Sequence, residues 1–600
     1  MFVWDEGDLN DEQIAAINEL NNVFLIACPG SGKTRALTYK IALELSSLED
    51  PKKWVVAITY THRAADEISE RIELLGVDTS QLWIGTIHAF CLEWILKPYG
   101  LYHDKLKNGF QIINSYDAEV IISEICSRIP NKPIWHGDCN HYYTPQGLSL
   151  SCVSNKTSLV RQVLKEYHHH LAENGQIDFE QILYFAHEIL SGNSSIAKIL
   201  ANLFSYVLID EYQDTKEIQY SIVAGIIKAS QGRARTFIVG DPNQAIYGSL
   251  GGYAITQLEL ELLAEVRFTL MTLDKNYRSS RKIIDYYRNF NVTSSATIAE
   301  GVHRDHPSII TYDQVTQKGD LVEQVSRHIE HSIQNLGILE KEICVIAPWW
   351  MHLAELTRNL VNRLPQYSFD GPGLVPFSRD IDNFWFKLTQ IVLTEPSPNM
   401  YVKRLRWATD VLYDLELALV DTYSISPKQL LKTVNSIAIN EDDGLTYLRS
   451  FFGALFSELD VDFTLYPMLM DHHESFFNSS QNRIDRLRKD GALFATDIEA
   501  FRKTFKPRTG IKVSTIHGVK GGEYDVVISF GLLQGLVPNL NDPSVESAKK
   551  LLYVIASRAR KNLHLISEKG RMSGYGQYRR ERQPTEVLHQ LNFAYDPNFI

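Results

Sequence analysis

The chain has no CxxC pair. Its six cysteines, Cys28, Cys91, Cys126, Cys139, Cys152 and Cys344, are scattered, which argues against a zinc ribbon or an iron–sulfur cluster and fits a reducing compartment. No run approaches the roughly 20 consecutive apolar residues that a membrane-spanning helix needs, so no membrane partner is expected. The opening MFVWDEGDLNDEQ lacks a basic segment followed by an apolar run. It does not read as a secretory signal, and a cytoplasmic location is expected. Basic charge is also in short supply: 60 Lys and Arg against 72 Asp and Glu give a net charge of -12. That excludes a general polyanion-binding shell and confines any nucleic-acid contact to a local groove. The histidine runs at 168–170 and 472–473 read as solvated surface rather than metal ligands, because adjacent side chains on a helix diverge. Short-period repeats are absent, and Ser424–Lys428 reads as a loop. What remains is an ordinary globular composition, 44% apolar and 22% charged, in 600 residues, too many for a single core.

Short apolar, β-branched runs at Val23–Ala27, Val55–Thr59, Tyr206–Ile209, Thr236–Val239 and Val526–Ile528 alternate with helical patterns. This predicts an α/β architecture of parallel sheets, with a ligand at the carboxyl ends of the strands. Two helix-rich stretches, from about Leu92 to Leu200 and from about Phe377 to Phe505, read as insertions. The second carries amphipathic patterns such as NRIDRLRKDGALFATDIEAFRKTF.

The run VFLIACPGSGKT, Val23–Thr34, is a strand entering a glycine-bearing loop that opens a helix. Gly30 and Gly32 let backbone N–H groups approach phosphate oxygens, and the helix N-terminus adds positive potential. Lys33 suits β- and γ-phosphates, and the Thr34 hydroxyl suits Mg²⁺. Ala27 stands where the general pattern has glycine. YVLIDEYQDT ends a strand in Asp210, a candidate Mg²⁺ ligand, and Glu211, a candidate to orient or deprotonate water. Alone, this acidic pair reads as a solvated strand end. In FIVGDPNQAIYG, Gln244 is placed to touch both the γ-phosphate side and a second ligand. Arg278 and Arg558 are candidate cis arginine fingers, although either one alone reads more readily as a surface arginine in a salt bridge.

In order, LNDEQ, ACPGSGKT, TYTHRAADEISER, GTIHAF, IDEYQD, GDPNQAIYG, LDKNYRS, STIHGVKGGEYD and YVIASRAR resemble the motif series of UvrD/Rep/PcrA-type superfamily 1A helicases from Leu9 to about Arg560. The resemblance implies two RecA-like P-loop domains, 1A (1–91 and 201–270) and 2A (271–376 and 506–600), with ATP between them. It also implies helical insertions 1B (92–200) and 2B (377–505), the latter shorter than in full-size members. Gln13 matches the glutamine that reads the adenine edge, although Asn10 and Gln13 also have capping-box spacing. Gly30, Ser31, Gly32, Lys33 and Thr34 match the phosphate loop, Arg35 and Tyr277 the pair that sandwiches adenine, and Glu523 the ribose contact. Tyr60, Thr61, Arg63, Thr86, His88, Phe90, Thr515 and His517 match the DNA track. Buried structural histidines remain the alternative for His88 and His517.

The resemblance further implies ATP and Mg²⁺ as cofactors, 3′→5′ movement on single-stranded DNA, action at single/double-strand junctions, and DNA repair or replication restart as a setting. A compact helicase subunit of a Gabija-type phage-defence system, working beside a nuclease partner, fits the same motifs. One departure stands out: Ser249 and Leu250 occupy the places of the family's base-stacking tryptophan and an arginine. Tyr247 and Tyr253 are candidate replacements for the ring, and a partner-dependent, weakly unwinding subunit is the second expectation. A milder departure is the AKK before LLYV.

Overall fold

The computed structural model describes residues 2–598 apart from 131–133, 372–376, 378–382, 424, 490–495, 506–509, 541 and 574–578. The chain divides into two compact units, one of Met1–Ile113, Ile122–Pro348 and Thr515–Ile600, the other of Asn114–Ile121 and Trp349–Ser514.

The first unit is built on two parallel sheets. In the N-terminal one the strands run in the order Thr269–Leu273, Val23–Ala27, Arg235–Gly240, Phe204–Ile209, Trp54–Thr59, Leu82–Thr86. Every pairing is parallel. Such a sheet is buried on both faces, which is why its strands read as apolar runs. Val23, Leu25, Val55, Ala57, Leu208 and Val239 pack on one side with helix Lys33–Ser46, while Phe24, Val56, Ile58, Val207 and Ile238 face the other. That second face is covered by helices Glu217–Ser230, Phe179–Gly192 and Ser194–Leu203, so helices from the 92–200 stretch share the sheet's own core. The C-terminal sheet of this unit sets Ile310–Asp313, Ala559–Ile566, Tyr524–Ser529 and Ile343–Ala347 in parallel, backed by helices Arg281–Tyr287 and Val545–Ala556. The α/β class with parallel sheets is therefore as expected.

The second unit is mainly helical. Phe384–Leu393, Tyr401–Leu417, Pro427–Ser436, Gly444–Glu458 and Pro467–Lys489 enclose an aromatic core around Trp385, Phe452 and Phe476. Phe369–Asp370 pairs in parallel with Ile511–Lys512.

Three expectations need correction. The 92–200 stretch is not purely helical: His141–Thr144 pairs antiparallel with Gly147–Leu150, because Pro145 and Gly147, at φ 120°, turn the chain back on itself. In the segment read as a loop, Ser424 lies outside the described residues, and Ser426 with Gln429 forms a capping box that starts helix Pro427–Ser436. The histidine runs are not wholly solvated. His169 and His170 are exposed, but His168 turns inward, and His473 packs against Trp385 and Phe477.

Candidate active site

The carboxyl edge of the N-terminal sheet gathers the residues singled out by the sequence. Strand Val23–Ala27 runs into the glycine loop, Trp54–Thr59 into Tyr60, Phe204–Ile209 into Asp210, and Arg235–Gly240 into Asp241. Thr269–Leu273 leads to Tyr277 and Arg278. Parallel strands deliver their carboxyl ends to one edge, so residues far apart in sequence converge there.

Gly30 and Gly32 have φ of 70° and 81°, which glycine adopts without strain. A Cβ on Gly30 would come within 2.5 Å of the Arg278 Cβ, and one on Gly32 within 2.5 Å of Gln13 Nε2. The loop is further held by Ser31 Oγ donating to Cys28 O at 2.8 Å and by Tyr277 N–H donating to Gly30 O at 2.9 Å. Lys33 opens the following helix, with Thr34 next to it, and its Nζ lies 3.9 Å from Glu211 Oε1. Open glycines, free helical N–H groups, an ammonium, a threonine hydroxyl and a buried carboxylate form a donor set that fits a triphosphate with Mg²⁺.

Asp210 is buried, and that burial together with the adjacent Glu211 charge pushes its carboxyl above the usual range. Glu211 moves the other way: burial opposes its ionisation but is outweighed by Lys33, Lys520, a Gln213 hydrogen bond and Arg558. Glu211 also sits at φ 53°, a left-handed backbone unusual for this residue. The outcome is a pair of carboxyls with opposed tendencies in one site.

Opposite this edge stands Arg558, at the end of helix Val545–Ala556 and only 2% exposed. Its guanidinium donates to Gln244 Oε1 at 2.7 Å, and Gln244 Nε2 donates to Asp241 Oδ2 at 2.6 Å. Burial, then the neighbouring Arg278, lowers Arg558 to about 10, leaving it cationic at neutral pH. Arg278 Nε donates to Glu523 Oε2 at 2.7 Å, and its NH1 to Ser557 O at 3.1 Å. Both arginines thus join the C-terminal sheet region to the glycine-loop side.

Gln13 is buried in the capping box with Asn10, and its Nε2 donates to Ser31 O at 2.9 Å. The local role and the contact with the loop coexist. Arg35 is exposed beside Asp8 and Tyr39, and Tyr277 is 42% exposed, its hydroxyl accepting from Asn10 Nδ2 at 2.9 Å.

The residues matched to the DNA track occupy the neighbouring part of the edge. Thr61 caps helix His62–Leu74, Thr86 caps Ile87–Cys91, and Arg63 is exposed. Thr515 Oγ1 accepts from Gly518 N–H at 3.0 Å. Tyr60 and Tyr247 have ring centroids 4.9 Å apart, and Tyr247 and His517 5.1 Å. His517 Nε2 lies 3.2 Å from Ile246 O, and burial lowers its pKa. His88 stacks on Phe179 at 3.9 Å, and burial, with Lys216 and His62, pushes it down to about 3, so it is neutral. Phe90 lies in the core. Tyr253 instead donates to Glu259, and Leu250 is exposed beside Ser249 in a short turn.

Four residues went unassigned at the sequence level. Gln213 Nε2 donates to Glu211 Oε2 while its Oε1 accepts from Asp241 N–H at 2.9 Å. Lys520 bonds the Asp214 carboxylate and donates to Gln244 O at 2.9 Å. All four lie in motif stretches that hold other candidate residues, IDEYQD, GDPNQAIYG and STIHGVKGGEYD, and Asp241 follows the glycine that ends its strand. For Asp241 the usable signal is a polar side chain directly after a buried strand.

Two family descriptions match: the UvrD/REP helicase N-terminal domain over residues 9–261 and the UvrD-like helicase C-terminal domain over 464–570. A probable DNA helicase II homolog of Mycoplasma capricolum is 25% identical over 99% of this chain and 89% of its own length. The ATP-dependent DNA helicase PcrA of Staphylococcus epidermidis is 23% identical, and that of Staphylococcus aureus 24%, each over 94% of this chain and 84% of the relative. With two parallel sheets, a glycine loop at the edge of one and Arg558 reaching that edge from the other, the chain belongs to the UvrD/Rep/PcrA-like superfamily 1A of ATP-dependent DNA helicases.

Proposed function

We propose that this enzyme moves 3′→5′ along single-stranded DNA and opens duplex at single/double-strand junctions, by closing and reopening two RecA-like domains with each ATP. The observation that carries the reading is the 2.7 Å hydrogen bond from Arg558 to Gln244, which ties the C-terminal sheet region to the edge bearing Lys33 and Glu211. The domain division 1A (1–91, 201–270), 1B (92–200), 2A (271–376, 506–600) and 2B (377–505) is part of the proposal.

ATP supplies the phosphoryl group, and Thr34 and Asp210 would hold Mg²⁺, which would spread the phosphate charge. The protein does the rest. The N–H groups of Gly30, Ser31 and Gly32 hold phosphate oxygens, and Lys33 sets its ammonium against them. Arg35 and Tyr277 flank the adenine, Gln13 meets its edge and Glu523 the ribose. Glu211 orients the attacking water and takes its proton, and Arg278 and Arg558 complete the site from the far side. Gln244 lies three residues before Tyr247, so a shift of Arg558 against Gln244 reaches the Tyr60–Tyr247–His517 cluster. There Thr61, Arg63, Thr86, His88, Thr515 and His517 grip the strand, and Tyr60 stacks on a base. One opened base-pair step costs about 1.4 kcal/mol of stacking.

A second reading, a partner-gated subunit that hydrolyses ATP but unwinds little alone, is favoured by Ser249 and the exposed Leu250 at the family's Trp–Arg positions. A nuclease is the partner expected for that case. ATP turnover on single strands without strand displacement would select it. For the ATP site, Lys33→Ala should abolish DNA-stimulated turnover. A variant as active as wild type would refute the assignment. Opposite-polarity single-strand substrates decide direction.

A further inference from the structure

Outside the nucleotide and DNA regions, three side chains from distant parts of the 92–200 stretch converge. His141 begins the first strand of the hairpin, His168 lies on helix Thr157–Glu173, and Asp178 is the N-cap of helix Phe179–Gly192. Their ligand atoms all lie within 4.8 Å of one another. The Nε2 of each histidine and the Oδ2 of Asp178 are buried, and none has a hydrogen-bond partner among the described residues.

The rest of the Asp178 and His141 side chains is committed so as to aim these atoms inward. The other oxygen of Asp178 accepts the capping hydrogen bond from Gln181 N–H at 2.8 Å, which leaves Oδ2 for the cluster. His141 Nδ1 lies 3.0 Å from Cys139 O. Donation to that carbonyl puts the lone pair of a neutral imidazole on Nε2, the arrangement that orients metal-binding histidines.

The spacing discriminates between two explanations. A charge-assisted N–H to carboxylate hydrogen bond would bring the atoms to about 2.7–2.9 Å. Here Asp178 Oδ2 is 3.6 Å from His141 Nε2 and 3.7 Å from His168 Nε2. Ligands about 2.0–2.2 Å from a tetrahedral ion stand roughly 3.3–3.6 Å apart, much closer to what is observed. Two imidazoles and a carboxylate form a donor set suited to a borderline divalent ion.

We propose that His141, His168 and Asp178 bind one Zn²⁺ ion, with water in the fourth position. The ion fastens the hairpin and the long helix to the start of helix Phe179–Gly192. The residue after Asp178, Phe179, stacks on His88, so the ion also fixes the platform under one residue of the proposed DNA track. The site itself does not depend on that function.

The test uses the full chain after chelator treatment, titrated with Co²⁺ and then Zn²⁺. Wild type should bind one equivalent of Co²⁺ with visible ligand-field absorption, Zn²⁺ should displace it, and Zn²⁺ should raise the melting temperature of the chelated protein. Asp178→Asn keeps a capping oxygen but loses the anionic ligand, and His168→Gln leaves the cap intact. Each should weaken metal binding more than about 10-fold and erase the Zn²⁺-dependent melting shift, while ATP turnover without DNA persists. If Asp178→Asn does not fold, His168→Gln alone decides. Wild type that takes up no more Co²⁺ than these variants, with no melting response to Zn²⁺, would overturn the proposal.

Discussion

The edge proposed to hold nucleotide and the edge proposed to hold DNA are built differently, although they belong to the same sheet. Around the glycine loop almost every polar group is already engaged by another: Gln244 with Asp241, Arg558 and Lys520, Gln213 with Glu211 and Asp241, and Arg278 with Glu523. Around Tyr60, by contrast, the proposed contacts are mixed: Thr86 and His88 are packed in, but Tyr60 itself is 40% exposed and Thr61 and Arg63 lie on the surface. A saturated network can exist in few arrangements and so can report a change in its centre, whereas a surface meant for any sequence gains from groups free to adapt. The two meet in the segment from Gln244 to Tyr247, which belongs to both.

The hardest test of that contrast falls on the saturated side. Arg558→Ala should lower DNA-stimulated kcat by about 10³-fold, the lower end for arginine fingers, with ATP binding largely kept. Arg558→Lys should recover only part of it, because an ammonium cannot reproduce the planar fork toward Gln244. Turnover of Arg558→Ala equal to wild type would mean that the bond to Gln244 is merely structural, and the contrast between the edges would lose its meaning.

A smaller effect is expected at the junction. Tyr247→Ala removes the ring between Tyr60 and His517, and a lost stacking surface is worth about 1–3 kcal/mol. The DNA concentration giving half-maximal stimulation should rise about 10-fold, with ATP turnover in the absence of DNA little altered. If turnover without DNA falls in parallel, Tyr247 belongs to the saturated network instead.

How far these regions were legible in the sequence follows the same division. The strands, the glycine loop and the acidic pair rest on local pattern, so Val23–Ala27 and Phe204–Ile209 stand within a residue or two of their expected positions. The pairing partners could not be read. That Arg558 meets Gln244 across a sequence separation of 314 depends on the chain between them folding into two sheets, and nothing in YVIASRAR names its partner. The hairpin at His141 was hidden because four-residue strands carry too little alternation to stand out from surrounding helices. His168 departs from its expected place for a related reason. Divergence of neighbours on a helix holds for His169 and His170, but it also means that one member of any run of three can face inward, and the sequence alone does not say which.

Apart from both edges, the C-terminal sheet carries a histidine pair that should respond to acid independently of either. His328 and His564 stack with centroids 4.2 Å apart in the core beneath the C-terminal sheet, where His564 Nδ1 lies 2.9 Å from Thr311 Oγ1. Burial lowers His328 to about 4 and His564 well below its ordinary value. In the unfolded chain both titrate near about 6.5. Between that value and about 4 the unfolded state therefore holds more protons, and stability must rise with pH across the window and fall on acidification through it. At pH 5 His328 alone accounts for a loss on the order of 2 kcal/mol. Melting temperature should thus be flat above pH 7 and drop from about pH 6.5 downward. His328→Phe keeps the stacked ring without the titrating nitrogen and should flatten part of that drop. An unchanged slope in the variant would show that the acid sensitivity arises elsewhere.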